Sequence, residues 1–350
     1  MSEGLRLRRG PPRMAPAAPG GGRPIAVPDK PAVSTYAALD LGTNNCRLLI
    51  ARPHGAGFRV IDSFSRIVRL GEGISATGRI SEAAIDRTIA ALAICRSKID
   101  LRNANRLRLV ATEACRQAAN GEVFCARVVR EAGIRLEVIN RENEATLAMI
   151  GCTPLVDDEA RGAILFDIGG GSTEVVRIER GADGRLRMRA WTSLPFGVVT
   201  LAECFGGREV SQQVYARMEA EVARHLAPFV ARHGDALDGL HLIGTSGTVT
   251  TIAGIHLNLP RYDRRRVDGL WMENAEISAT VGRLLGMSYA ERADSHCIRR
   301  ERADLVLPGC AILDAIRHAF PLPRLRIADR GLREGMLVEM MREDGALAAT

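Results

Sequence analysis

Lysine is almost missing from this chain of 350 residues: of its 48 cations only Lys30 and Lys98 are lysines, and arginine supplies the rest. Neither stands in a GxxxxGK[ST] stretch or at the end of a VAIK-like strand, so a Walker P-loop and a protein-kinase lysine are excluded by inspection. No uninterrupted apolar run approaches the roughly 20 residues that span a bilayer. The opening MSEGLRLRRGPPRMAPAAPGGG has basic residues but lacks the continuous apolar segment of a secretory signal. No membrane partner is therefore expected, and the cytoplasm is the expected compartment. The eight cysteines (46, 95, 115, 125, 152, 204, 297 and 310) include no CxxC pair, which excludes a signalled zinc knuckle or dithiol redox motif. Reduced thiols fit a cytosolic protein.

What the chain does have is enough apolar material, at 46% hydrophobic residues, for two domains with real cores. The net charge of +7 is unevenly spread. Residues 1–33 hold Arg6, Arg8, Arg9, Arg13, Arg23 and Lys30 against Glu3 and Asp29, leaving a mild excess elsewhere that suits an anionic ligand without demanding one. The same segment has seven prolines, five glycines and no periodicity, and reads as a disordered basic arm. Met14 is an alternative start. The arginines of the arm could touch nucleic acid, but a plain solvated tail is the expected state, and nucleic acid is not an expected partner.

From Tyr36 to about Met341 strand and helix patterns alternate, which predicts an α/β protein. YAALDL and CRLLIA read as strands about a tight GTNN turn, and FRVIDSFSRIVRL as further strand. SEAAIDRTIAALAICRSKID reads as an amphipathic helix with a Ser N-cap. RLRLVAT and IRLEVIN are strands around a helix over 121–132, and NEATLAMIG opens another helix. After an acidic stretch near Asp157, GAILFDIGGGSTEVVRIER repeats the pattern of TYAALDLGTNNCRLLIARP: apolar strand, Asp-x-Gly, small polar turn, apolar strand. Two such hairpins half a chain apart predict a duplicated domain with a site between the halves. The expected boundaries are 34–158 and 159–341, the last helix being free to pack back on the first domain, with a tail over 342–350. A helix over 211–233 and the loop GTSGT after the strand LHLI complete the second half.

The loops carry the chemistry. Backbone amides of a turn without β-carbons form a concavity for oxyanions. The first loop is Gly42, Thr43, Asn44 and Asn45 with Asp40 at its entrance. The second is Gly169, Gly170, Gly171, Ser172 and Thr173 with Asp167 at its entrance. An aspartate beside a phosphate cradle repels the anion unless a divalent cation lies between, so Mg²⁺ is expected at Asp167, helped by Glu174.

These features, with RLGEGI, ATEACRQAAN, VINRENEATLAMIG, GTSGTVTTIAG, RADLVLPGCAIL and LREGML in that order, resemble the exopolyphosphatase and guanosine pentaphosphate phosphohydrolase family of the actin-like ATPase superfamily. The resemblance covers about Tyr36 to Met340. It implies two actin-like (ribonuclease H-like) domains with mixed sheets flanked by helices and a ligand cleft between them, in a short two-domain form. It implies that Glu144 orients or deprotonates the attacking water and that Arg116 contacts the terminal phosphate. By the same carry-over Asp40, Gly42, Asn44 and Asn45 of the first loop, and Asp167, Gly169, Gly170, Ser172 and Glu174 of the second, contact phosphate or metal. Where the family reads Gly-x-Glu-Glu-Ala, this chain has Arg141, Glu142, Asn143, Glu144 and Ala145. The arginine-dense RYDRRRVDG, Arg261 to Gly269, lines an anion channel or is a solvated loop.

The expected activity is Mg²⁺-dependent removal of the terminal phosphate from polyphosphate or guanosine pentaphosphate, with polyphosphate preferred. Two other readings stay open: a small-molecule kinase of the same superfamily, and a sensor that binds either ligand without turnover. Relatives of this shape are often homodimers.

Overall fold

The computed structural model describes residue 1 and residues 34–348; the basic arm falls outside the described residues. Two mixed sheets organise the described residues. The first contains β1 (Tyr36–Leu41), β2 (Asn45–His54), β3 (Gly57–Ile67), β4 (Arg106–Ala111) and β5 (Glu137–Val138), in the order β3-β2-β1-β4-β5. The second contains β6 (Gly162–Ile168), β7 (Thr173–Arg180), β8 (Leu186–Leu194), β9 (Leu240–Thr245), β10 (Trp271–Glu273) and β11 (Arg324–Ala328), in the order β10-β11-β9-β6-β7-β8. In each sheet a three-stranded antiparallel meander is joined on its first strand by a parallel one, β4 on β1 and β9 on β6. The repeated sequence pattern is thus a repeated topology.

The central strands β1 and β6 are apolar on both faces because helices cover both sides. The helix Glu82–Leu101 starts where Ser81 Oγ accepts from the Ala84 amide, and Gln212–His233 where Ser211 Oγ accepts from Val214. Two helices change sides. Arg141–Cys152 follows the first sheet but lays Ala145 and Cys152 on Ala163, Leu165, Val176 and Ile178 of the second. Leu332–Glu343 follows the second sheet but lays Leu332, Met336, Leu337, Met340 and Met341 on Tyr36, Ala38, Leu49 and Val110 of the first. The two cross closely, since a β-carbon at Gly335 would run into the Leu147 carbonyl and one at Gly151 into that of Gly331.

Three sequence expectations change. IRLEVIN pairs only over β5, because Ile134, Leu136 and Ile139 turn into the core around a short edge contact. The strand expected through VRL ends at Ile67. Beyond it the amides of Val68 and Arg69 bond the Asn44 carbonyl (2.9 and 3.0 Å), so the chain bends over the first loop. The segment after Met341 is tied down as far as described: Leu347 is buried, and Asp344 accepts from the Tyr36 hydroxyl (2.9 Å) and Arg106 Nε (2.8 Å). Among the described residues no helix is long and apolar enough to cross a membrane.

Candidate active site

The two hairpins meet at a cleft of about 980 Å³. Asp40, Gly42, Thr43, Asn44 and Asn45 line it from one side, Asp167, Gly169, Gly170, Gly171, Ser172 and Glu174 from the other, with Glu144 between. Arg116 is not among the lining residues.

Each loop is built to turn its amides outward. Gly42 and Gly169 spend their N–H groups closing the turns, on Asn45 O (2.9 Å) and Ser172 O (3.0 Å). The carbonyls of Gly169 and Gly170 accept from Val198 (3.0 Å) and Val199 (2.8 Å), capping the helix Val198–Phe205. The N–H groups of Thr43, Asn44, Gly170 and Gly171 make no hydrogen bond within the described chain, as an anion cradle requires. The glycines also serve contact: a β-carbon on Gly170 would lie 2.9 Å from Thr43 Cβ, and one on Gly171 would lie 2.7 Å from Thr43 Oγ1 and 3.1 Å from Glu113 Cγ. The third loop adds strain. Ser246 holds φ 84° and ψ −175°, a conformation costing a non-glycine residue about 1–3 kcal/mol, and its Oγ donates to Ile168 O at 2.7 Å.

The hairpins differ in charge. Asp40 faces Arg47 across its ladder, while Asp167, at the matching place, faces Glu174. Burial, then the charges of Glu174 and Asp40, push the Asp167 carboxyl up to about 7. Burial also raises Glu174, against hydrogen bonds from Ser193 and Ser172, and it raises Asp40 against the pull of Arg47 and Arg333. Like carboxylates directly opposite on a sheet are unfavourable without a counter-ion. Asp167 and Glu174 therefore fit as the residues that would hold a hard divalent ion. No three His, Cys, Asp or Glu side chains converge on one metal position among the described residues, so a dedicated protein cage does not fit.

Glu144 sits on the first turn of its helix, which Asn140 caps by accepting from the Asn143 amide at 2.8 Å. Burial, and next the Glu174 charge, raise its carboxyl well above the usual glutamate range, against the pull of Arg116. Arg116 Nη1 is ion-paired with Glu144 Oε2 at 2.8 Å and pulls its carboxyl down against burial.

Residues 49–344 match the sequence profile of the Ppx/GppA phosphatase family. The chain belongs to this family. It is 29% identical over 324 residues to exopolyphosphatase 2 of Mycobacterium tuberculosis, spanning 88% of this chain and 99% of that relative. It is 28% identical over 307 residues to the guanosine-5'-triphosphate,3'-diphosphate pyrophosphatase of Aeromonas salmonicida, but there it spans only 59% of the relative's length. The crystal structure of the Aquifex aeolicus Ppx/GppA member superposes with a TM-score of 0.74 at 30% identity, over 89% of this chain and 99% of that one. A Cytophaga hutchinsonii exopolyphosphatase shares the fold at a TM-score of 0.81 and 23% identity, over 90% of this chain and 100% of that one.

Several cleft residues of this Ppx/GppA chain were not singled out from sequence. Arg47, Arg302 and Arg333 line the cleft; burial brings Arg302 down to about 10 and also lowers Arg333. Arg302 and Arg333 lie in RADLVLPGCAIL and LREGML, segments that carry the family resemblance and could have flagged them. Glu113 also lines the cleft. RYDRRRVDG divides: Tyr262 and Arg264 line the cleft, with Arg264 Nη2 donating to Asp329 O (2.6 Å) and Glu334 Oε1 (2.9 Å), while Arg261, Arg265 and Arg266 are exposed.

Proposed function

We propose that this Ppx/GppA chain is a Mg²⁺-dependent phosphohydrolase, acting in the cytoplasm, that removes the terminal phosphate of linear polyphosphate. The observation carrying the reading is the acid pair Asp167 and Glu174 set beside two amide cradles, with the buried carboxylate of Glu144, paired to Arg116, facing the same space. The cradle amides of both loops hold the oxygens of the phosphate end, and the cleft arginines Arg47, Arg302 and Arg333 neutralise the chain that follows. The raised basicity of Glu144 suits it to orient a water and accept its proton as the phosphoanhydride opens. Bound at Asp167 and Glu174, Mg²⁺ would supply Lewis-acid charge to the phosphate oxygens. Arg116, ion-paired to Glu144 at 2.8 Å, acts in this reading first on the base.

Polyphosphate is preferred over guanosine pentaphosphate because the cleft is lined by Arg47, Arg302 and Arg333, whose charge suits a polyanion running past the bound end. A phosphate-release assay on long polyphosphate, short polyphosphate and guanosine pentaphosphate, with and without Mg²⁺, tests the reading. Release from polyphosphate alone, abolished by chelator, is expected. Release only with an added acceptor would favour the kinase, and binding without release would favour the sensor.

A further inference from the structure

We propose that Glu113 is a positioning residue for this hydrolysis, holding the Arg116 guanidinium against Glu144, and that Arg141 completes its setting. The proposal rests on the reading of Glu144 as the group that handles water. Glu113 follows β4 directly, in the short helix Glu113–Gln117, and is only 2% exposed. Its Oε2 accepts from Arg116 Nε (2.9 Å), Arg116 Nη2 (2.6 Å) and Arg141 Nε (3.2 Å); its Oε1 accepts from Arg141 Nη2 (2.6 Å) and Gln117 Nε2 (2.8 Å). A carboxylate so filled by its own chain has no room for a metal or a water. Burial alone would raise it, but the bonds from Arg141 and Arg116 hold it below the usual glutamate range.

What Glu113 fixes is geometry. With two nitrogens on Glu113 and Nη1 on Ile139 O (2.8 Å), the planar Arg116 fork is fully constrained, and its Nη1 is left 2.8 Å from Glu144 Oε2. Arg141 stands three residues before Glu144, on the opening turn of the same helix. Glu113 thereby references Arg116 and the Glu144 helix to one another through a single carboxylate. A β-carbon at Gly171 would come within 3.1 Å of the Glu113 Cγ, so the same side chain leaves room only for glycine at that point of the second phosphate loop. The arginine at 141, where the family pattern has glycine, becomes the second half of a built ion-pair cluster.

Steady-state phosphate release from polyphosphate by E113Q, E113D, R141Q and the double variant E113Q/R141Q tests this. E113Q keeps size and loses charge, and should lower kcat about 10²-fold, the scale of a displaced catalytic group, while KM stays within about threefold of wild type. E113D should recover part of the loss. R141Q, altering a half-exposed side chain that leaves the core intact, should lower kcat by about threefold to tenfold and add little in the E113Q background, since partners in one network are not additive. An unchanged kcat, a loss confined to KM, or independent multiplication of the two effects would overturn the proposal; if E113Q fails to fold, R141Q alone decides. A crystal structure of E113Q gives a reading free of turnover: Arg116 should leave Glu144, and an unmoved Arg116 refutes the positioning role. Absence of phosphate release by wild type on every substrate would instead refute the hydrolase reading.

Discussion

Asp167 and Glu144 are both lifted by burial, yet they meet different ends. Asp167 has a glutamate across its ladder, and Glu144 has an arginine behind it. The consequence for Asp167 is visible in pH. Its folded pKa of about 7 lies above the ordinary 3.8, so between those values the folded protein holds a proton that the unfolded chain has released. The stability it contributes is full below about pH 4 and is lost as pH rises through 7. Without metal, the melting temperature of wild type should fall between pH 5.5 and 8 by more than that of Asp167→Asn, and Mg²⁺ at pH 8 should rescue wild type only. Thermal scans across that range check it. Glu144→Ala should cut kcat by about 10²–10⁴-fold, the usual span for a lost general base, with the fold unchanged by circular dichroism. The acids and glycines of both loops were legible in sequence because each is local to a turn. Glu113 was not, because the partner that gives it a role beyond its own turn, Arg141, lies 28 residues on; Arg302 and Arg333 stood inside motif segments, but among so many arginines their place in the cleft shows only in the fold.

At the scale of the element, the two crossing helices decide how the halves are joined. The helix Leu332–Glu343 passes over Arg141–Cys152 with no room for a side chain at Gly335. Gly335→Ala should therefore destabilise the protein by about 1–3 kcal/mol despite the better helix propensity of alanine, through overpacking against the Leu147 backbone. The midpoint of urea unfolding should fall with an unchanged slope. Of the two, Arg141–Cys152 was legible in NEATLAMIG and the last helix only as one free to pack back on the first half, while β1, β2, β6 and β7 were legible from the repeated apolar hairpin. β5 was overestimated because IRLEVIN buries apolar residues without pairing as a strand beyond two positions. Periodicity reports burial, and it does not say whether a ladder or a loop performs it.

For the whole molecule, duplication explains the architecture and asymmetry explains the site. Both halves share a meander joined by a parallel strand, while only the second pairs acid with acid at the loop entrance. The exchange of helices binds the halves into one folding unit. A chain ending before Leu332 would lose the burial of Leu332, Met336, Leu337, Met340 and Met341. At about 1.5–3 kcal/mol for each large apolar side chain, that loss rivals the entire stability of an ordinary domain. Such a truncation should leave the first half insoluble, as sedimentation of the expressed protein would show. The same crossing also imposes an order in time. During synthesis Tyr36, Ala38, Leu49 and Val110 emerge before the whole second sheet, whereas the helix that covers them follows it. The first sheet must wait, half-dressed, while the second is made, which leaves its uncovered face open to chaperones until that helix docks.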